Sequence, residues 1–149
     1  MDPAPSEIRL HASAVAGDRG GLLILGPSGS GKSSLAIALI ARGARLICDD
    51  AVIVRHAGDG LCAEAPADAP PLVEARGVGF MTAPLAGRTR LLAAVLLDRA
   101  ETERMPPPRT HPVLGHDLRA FWVPRHHEQG SAPFADALTL YLRHPEVLR

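Results

Sequence analysis

The sequence predicts an α/β fold because of its length, its apolar composition and one strand–loop–helix succession. Its 149 residues are enough for one packed core and too few for two domains. Apolar residues make up 46% of the chain and aromatic residues only 3%, so the core is expected to consist of Ala, Leu, Val and Ile. The short apolar run Leu22–Leu25 predicts a strand buried on both faces. A glycine-rich segment follows it, and Lys32–Arg42 then places its apolar residues on one helical face, which is the succession typical of α/β proteins.

The first half of the chain alternates short apolar runs with turns. Ile8–Ala16 is predicted to be one strand, because apolar and polar residues alternate loosely along it. The helix Lys32–Arg42 is expected to end at Gly43, a residue type that favours the C-terminal cap. Further extended segments are predicted at Arg45–Cys48, Ala51–His56 and Leu61–Ala65.

Proline and glycine interrupt the second half of the chain more often. Pro66–Pro71 is predicted to be a loop, and Met105–Pro112 is expected to break regular structure because it is rich in proline. Leu91–Leu97 is a third candidate for a buried strand, although its alanines also allow a helix. An edge strand and a closing amphipathic helix are predicted at Leu118–Val123 and Ala132–Arg143.

Charge, hydropathy and cysteine content argue against several classes of protein. Sixteen basic and sixteen acidic residues give a formal net charge of zero, so no basic surplus favours nucleic acid or an anionic membrane. No apolar run approaches the roughly 20 residues of a membrane span, and the N-terminal residues lack the apolar core of a signal peptide. Cys48 and Cys62 form no metal-binding or disulfide pattern. We therefore expect a cytoplasmic domain without a nucleic-acid or membrane partner.

The glycine-rich segment matches the phosphate-binding motif G-x-x-x-x-G-K-[ST] at every fixed position. Its residues are Gly26, Pro27, Ser28, Gly29, Ser30, Gly31, Lys32 and Ser33. In such a P-loop the backbone N–H groups and the helix N-terminus face phosphate oxygens, the lysine reaches the β- and γ-phosphates, and the serine hydroxyl binds Mg²⁺. A glycine-rich turn that binds nothing is the alternative. It is disfavoured because fifteen of the sixteen basic residues are arginine, and the single lysine, Lys32, falls on the lysine of the motif.

The absence of an Asn-Lys-x-Asp guanine-reading motif makes ATP the predicted nucleotide. Asp49 and Asp50 end the predicted strand that follows the P-loop helix, and ligands collect at the carboxyl ends of parallel strands. One carboxylate there can hold Mg²⁺, directly or through water, while the other accepts a proton from an attacking hydroxyl. The alternative is a solvated turn, since Asp is common at strand ends.

Three segments together resemble the catalytic domain of HPr kinase/phosphorylase. They are GPSGSGKS, RGARLICDDAVIV and VEARGVGFM, and their order and spacing agree with the family from about Ile8 to Met81. The resemblance implies a P-loop in a mixed sheet with flanking helices, a fold related to the nucleotide-binding fold of phosphoenolpyruvate carboxykinase. It also implies ATP- and Mg²⁺-dependent phosphorylation of a serine on the phosphocarrier protein HPr or a paralogue of HPr. The reverse reaction with inorganic phosphate would release pyrophosphate.

The resemblance assigns roles to individual residues of this chain. Ser33 and Glu74 would bind Mg²⁺, and Asp49 would be the base that activates the substrate serine. Asp50 would support the metal and its loop, and His11 matches a family histidine near the phosphates. Together with Lys32 and the P-loop these residues form the predicted site, and Arg76, Gly77 and Gly79 form the signature segment that follows Glu74.

The resemblance also bears on domain organisation and assembly. Only ten residues precede His11, so a single catalytic domain over residues 1–149 is expected, without the N-terminal regulatory domain of full-length members. In this respect the chain resembles the short, catalytic-domain-only form found in alphaproteobacteria. A hexamer is implied by the family. Arg104 and Arg109 lie about where a basic loop assists the reverse reaction in longer members.

Two other functions are compatible with a P-loop. One is a regulatory module that binds ATP without transferring phosphate, and the other is a kinase of a small hydroxyl-bearing metabolite. Intact Asp49, Asp50 and Glu74 argue against the first, because a degenerate site is expected to lose its base or metal ligand. A metabolite kinase needs chain for a lid over its substrate pocket, and 149 residues leave little.

Overall fold

The computed structural model describes residues 5–125 and 132–148, and these contain eleven strands and two α-helices. The strands are β1 (Glu7–Leu10), β2 (Ser13–Ala16), β3 (Gly21–Leu25), β4 (Arg45–Cys48), β5 (Val52–Ala57), β6 (Gly60–Glu64), β7 (Leu72–Ala75), β8 (Gly79–Thr82), β9 (Thr89–Glu101), β10 (Arg109–Val113) and β11 (His116–Pro124). The helices are α1 (Lys32–Ala41) and α2 (Ala132–Arg143), and a 3₁₀ turn, Pro145–Val147, follows α2.

One sheet dominates the structure, and its central run of strands has the order β4-β2-β3-β9-β11-β10. Strand β9 is parallel to both β3 and β11, whereas β2 is antiparallel to both β3 and β4. It follows that β3, β4, β9 and β11 all run in the same direction and end at the same edge of the sheet. The loops that follow these four strands therefore share one edge, where ligands of α/β proteins usually bind.

The remaining strands form an antiparallel extension and a separate hairpin. Strands β1, β5 and β6 pair in that order, and β6 joins the beginning of β9 through Thr89 and Arg90. Strands β7 and β8 pair only with each other. The outer edge of β4 is covered by backbone hydrogen bonds between Leu46 and the segment Pro84–Ala86.

Two apolar clusters pack on the two faces of β3. Leu22 and Ile24 point toward α1 and α2, while Leu23 packs against the cluster built on the β5–β6 side. All three side chains are completely buried, as predicted for an apolar run without alternation. This burial fixes the carboxyl end of β3, from which the P-loop starts.

The α/β architecture with a mixed sheet and flanking helices is confirmed, and several elements agree closely with expectation. Leu91–Leu97 lies within the strand β9, so the helical alternative for it is wrong. Helix α1 ends one residue earlier than predicted, and Gly43 follows with a φ of 107°. No helix of the described ranges is long and apolar enough to cross a membrane.

Three predicted elements are corrected by long-range pairing. Ile8–Ala16 is two strands that separate at His11, because β1 pairs with β5 whereas β2 pairs with β3 and β4. The proline-rich segment contains β10, which tolerates Pro112 because it is paired on one side only. Leu118–Val123 is not at an edge, since β11 lies between β9 and β10.

Candidate active site

The P-loop joins the carboxyl end of β3 to the first residue of α1, Lys32. Gly31 caps the helix with φ 99° and ψ 22°, a left-handed conformation that costs glycine little and other residues more. The chain can therefore turn sharply and enter α1 at once. As a result, the unpaired N–H groups of the first helical turn face the same space as the loop.

The Lys32 ammonium is held inside the curl of the loop. The residue is only 7% exposed, and its Nζ donates hydrogen bonds to the carbonyl oxygens of Gly26 (2.8 Å) and Pro27 (3.0 Å). A buried ammonium requires such partners, because leaving water without them is costly. The contacts place the positive charge where a P-loop holds the phosphates of a nucleotide.

Asp49 follows β4 and is surrounded by three hydrogen-bond donors. Its two carboxylate oxygens both lie 2.9 Å from the hydroxyl of Ser33 in the first turn of α1. Ser13 Oγ donates to Oδ1 at 2.5 Å, and the backbone N–H of Glu74 donates to Oδ2 at 3.3 Å. These contacts hold Asp49 between β2, α1 and β7.

The sheet register explains why Ser13 meets Asp49. Ala14 of β2 lies opposite Cys48 of β4, so in this antiparallel pair Ser13 and Asp49 are the next residues to face each other. Ser13 is completely buried in a strand whose other residues are Ala and Val. The sequence analysis did not select Ser13, although a hydroxyl within an otherwise apolar strand is the signal that could have identified it.

Ser33 and Asp49 place a hydroxyl and a carboxylate together at the P-loop, and Glu74 lies beside them, so these are the residues that could hold a divalent cation. Ser33, Glu74, Lys32 and Arg76 line a cavity of about 160 Å³. Asp49 accepts hydrogen bonds from the Ser33 hydroxyl and from the backbone N–H of Glu74. Within residues 5–125 and 132–148, no group of three or more His, Cys, Asp or Glu side chains is placed to hold a metal. A hydroxyl with one or two carboxylates suits Mg²⁺, which keeps several waters and takes further oxygens from substrate phosphates.

Asp50 faces a different environment from Asp49. Its φ of 70° is left-handed, a conformation that Asp adopts more readily than most residues, and its side chain is 76% exposed. Oδ1 lies 3.3 Å from Nε2 of His11, and the same nitrogen lies 3.4 Å from Ser28 Oγ of the P-loop. His11 reaches both because it occupies the bend between β1 and β2. The two adjacent acids thus differ: Asp49 is bound to the P-loop hydroxyl of Ser33, whereas Asp50 is more open to solvent and is paired with a histidine.

The β7–β8 hairpin brings the signature segment to the P-loop. Glu74 lies on β7, and the chain then reverses through a turn closed by the hydrogen bond from Val78 N to Ala75 O (2.9 Å). Gly77 is the third residue of that turn and has φ 82°, which makes glycine the favoured residue there. The turn leaves Glu74 and Arg76 on the wall of the small cavity, and Gly79 begins β8.

The structure brings His11, Asp49, Asp50, Glu74 and Arg76 to the P-loop, but it places Arg104 and Arg109 elsewhere. Both arginines line a second, larger cavity beside β11. Arg109 is already paired there, since its guanidinium donates to both carboxylate oxygens of Glu101 at 2.6 and 2.8 Å. Arg76 is the arginine that lines the cavity at the P-loop.

Comparisons with known proteins agree on one family. The family model of the HPr serine kinase C-terminal domain matches residues 4–86. The chain is 42% identical over 80 residues to the HPr kinase/phosphorylase of Clostridium botulinum strain Eklund 17B, which covers 54% of this chain and 26% of that protein. It is 40% identical over 75 residues to the HPr kinase/phosphorylase of Mycoplasmopsis pulmonis, covering 50% of this chain and 24% of the relative. These matches span about a quarter of the length of either relative.

A solved structure extends the similarity of fold to nearly the whole chain. The Hpr(Ser) kinase/phosphatase from Coxiella burnetii superposes with a TM-score of 0.72 at 24% sequence identity, covering 94% of this chain and 97% of that one. The fold is therefore shared well beyond residue 86, including the strands and helix of the C-terminal third.

Proposed function

This chain belongs to the HPr serine kinase C-terminal domain family, and we propose that it transfers the γ-phosphate of ATP to a serine hydroxyl of HPr or an HPr-like phosphocarrier protein. The observation that supports this proposal best is the geometry around Asp49. Its carboxylate meets the P-loop hydroxyl of Ser33 and the backbone of Glu74, so the phosphate loop, the metal-binding oxygens and the signature hairpin converge on one cavity.

Binding of ATP in this proposal depends on the loop and on Lys32. The backbone N–H groups between Gly26 and Ser33 and the N-terminus of α1 would surround the phosphate oxygens. Lys32 would exchange its two carbonyl partners for oxygens of the β- and γ-phosphates. Ser33, Asp49 and Glu74 would hold Mg²⁺, which neutralises charge on the phosphate oxygens when it is bound.

The contacts favour exchanging the roles that the family resemblance suggested for Asp49 and Asp50, namely proton acceptor and support of the metal. Asp49 lies within hydrogen-bond distance of Ser33, and this is the position from which an acid supports a P-loop metal. Asp50 is open to solvent and is paired with His11 beside Ser28, so an incoming serine could reach it. We therefore propose that Asp50 accepts the proton of the attacking serine hydroxyl and that His11 orients the Asp50 carboxylate. Asp49 would support the metal.

The reverse reaction would use the same cavity. Inorganic phosphate would attack the phosphoserine, the P–O bond to the serine would break, and Asp50 would return a proton to the serine oxygen while pyrophosphate forms. Lys32 and Arg76 are the cations of the P-loop cavity that would hold the incoming phosphate. Arg109 is committed to Glu101 and is less suited to that role.

The test of the proposed function is incubation with γ-labelled ATP, Mg²⁺ and purified HPr-type proteins. Label is expected on a serine of one phosphocarrier, identified by mass spectrometry of the labelled peptide, and omission of Mg²⁺ is expected to abolish it. ATP binding without transfer to any phosphocarrier would favour the regulatory module. Label recovered only in small molecules of a metabolite mixture would favour the metabolite kinase. Addition of phosphate to the phosphorylated carrier, with pyrophosphate as the product measured, tests the reverse direction.

Ser13→Ala is expected to reduce turnover about tenfold while the protein stays folded. The substitution removes one of the three donors to Asp49, and a hydrogen bond to a charged group contributes about 1.5–3 kcal/mol. If Ser13 positions the Asp49 carboxylate, the Mg²⁺ concentration for half-maximal activity should rise, and Ser13→Cys, with nearly the same volume and a weak donor, should recover part of the loss. Unchanged Mg²⁺ dependence together with a lowered melting temperature would show that Ser13 serves packing alone.

A further inference from the structure

A second cavity, of about 710 Å³, lies beside β11 and is not part of the P-loop site. Its wall is formed by residues 101–109, by the carboxyl end of β11 and by Phe134 and Leu148 from the C-terminal segment. The lining combines Met105, the three prolines Pro106–Pro108 and Trp122 with several arginines. The volume is within the range of small-molecule sites, which are mostly apolar with a few placed polar groups.

The strand register relates Trp122, on the wall of this cavity, to the residue that precedes the P-loop. Leu25, the residue before Gly26, lies opposite Leu96 of β9, and Leu96 lies opposite Trp122 of β11. Two strand spacings, about 10 Å, therefore separate the backbone of Trp122 from that of Leu25, and this row lies on the sheet face that carries Leu23, opposite to the face packed against α1. Beyond Leu96 the register jumps to Ala100, so residues 97–99 bulge out of the β9–β11 ladder between the two sites.

The cavity lies on the side of the P-loop that is opposite to the acids. Asp49 and Glu74 approach the loop from the β4 side, whereas β9 and β11 lie on the other side of β3. A nucleotide whose γ-phosphate is near the acids and whose other phosphates lie on the loop must direct its nucleoside away from those acids. The β9–β11 side is where a cavity of sufficient size is open to receive it.

We propose that this cavity binds the nucleoside of the phosphate donor, with the base against Trp122 and Arg109. The inference rests on the proposed function, because it assumes that the P-loop holds the phosphates of a nucleotide. It assigns nucleotide recognition to the C-terminal third of the chain, which lies outside the residues that match the family model.

The wall of the cavity has the chemistry that a heteroaromatic base requires. The guanidinium of Arg109 lies 3.7 Å from the centroid of the Trp122 ring, so the two planar groups form one stack. Glu101 fixes Arg109 in that stack through two hydrogen bonds, and it is itself only 8% exposed. The same hydrogen bonds lower the pKa of Glu101, which keeps the pair charged. Arg104 and Arg125 add positive charge to the lining, which suits a ligand that carries phosphates better than an uncharged apolar one.

Trp122 is the single tryptophan of the chain, so its fluorescence reports on this cavity directly. ATP and ADP are expected to change the emission of the wild-type protein, whereas inorganic tripolyphosphate, which can occupy the P-loop but has no nucleoside, is expected to leave it unchanged. Calorimetry provides independent proof that each ligand is bound. Saturation by ATP without any change in emission, or an equal change with tripolyphosphate, would overturn the inference.

Variants of Trp122 separate the nucleoside site from the catalytic site. Trp122→Leu is expected to raise the KM for ATP about tenfold, the scale of losing one base–aromatic stack, while kcat at saturating ATP and the affinity for tripolyphosphate stay near wild type. Trp122→Phe should recover most of the affinity. An unchanged KM in folded Trp122→Leu would refute the nucleoside site even if phosphate transfer to HPr is found. Conversely, ATP-dependent changes in Trp122 emission would support the site even if HPr is not the acceptor.

Discussion

Lys32→Ala is expected to reduce phosphoryl transfer by about 10³-fold or more while the sheet and α1 remain folded. Lys32 is the donor nearest to the loop carbonyls of Gly26 and Pro27, and its ammonium would balance charge that develops on the transferring phosphoryl group. Removing one preorganised donor of this kind typically costs about 10²–10³-fold in rate, and the lost affinity for the phosphates adds to that. Single-turnover transfer from labelled ATP and the thermal melting curve would measure the two properties separately.

Lys32→Arg is the matched variant for this experiment. It keeps the positive charge but replaces a compact ammonium with a planar guanidinium, in a position where only 7% of the residue is exposed. Transfer should therefore remain low in both variants. Wild-type turnover in Lys32→Ala would refute the P-loop assignment, and wild-type turnover in Lys32→Arg alone would show that charge rather than shape is what the loop needs.

Asp50→Asn is expected to slow transfer about 10²–10⁴-fold without changing the Mg²⁺ requirement, since a positioned general base contributes rates of that order. Asp49→Asn should instead raise the Mg²⁺ concentration needed, because a neutral amide is a poorer partner for a hard cation and for the Ser33 hydroxyl. Initial rates over a Mg²⁺ titration, with ATP affinity measured in parallel, distinguish the two effects. If Asp49→Asn is the more damaging at saturating Mg²⁺ while Asp50→Asn is nearly normal, the roles are those that the family resemblance suggested.

Asp49 and Asp50 show which features of this site the amino-acid sequence alone does not predict. The pattern of residues predicted that Asp49 and Asp50 lie beside the P-loop because both follow a strand parallel to β3; Asp49 contacts Ser33 there, and Asp50 reaches the loop through His11. The pattern could not predict that they separate. The left-handed φ of Asp50 and the bend at His11 create that separation, and both depend on how distant strands pair.

The proline-rich segment Met105–Pro112 and its arginines, Arg104 before it and Arg109 within it, show the same limit. Proline content predicted irregular structure around Met105–Pro112, and the family resemblance suggested that Arg104 and Arg109 belong to a basic loop that assists the reverse reaction. The structure instead forms β10 within that segment and commits Arg109 to Glu101 and Trp122. Composition does not identify such partners, because each one lies on another strand.

The strand β3, the P-loop and the helix α1 can be predicted from the amino-acid sequence, since each depends on contacts between residues near one another in the chain. An uninterrupted apolar run, glycines where φ must be positive and an apolar helical face are all local properties, and the structure retains them. In contrast, the hydrogen bond from Ser13 to Asp49, 36 residues away, and the alignment of Trp122 with Leu25 across β9 depend on how distant strands pair. The physical reason is strand register, because a shift of one residue in any pairing turns a side chain to the opposite face of the sheet.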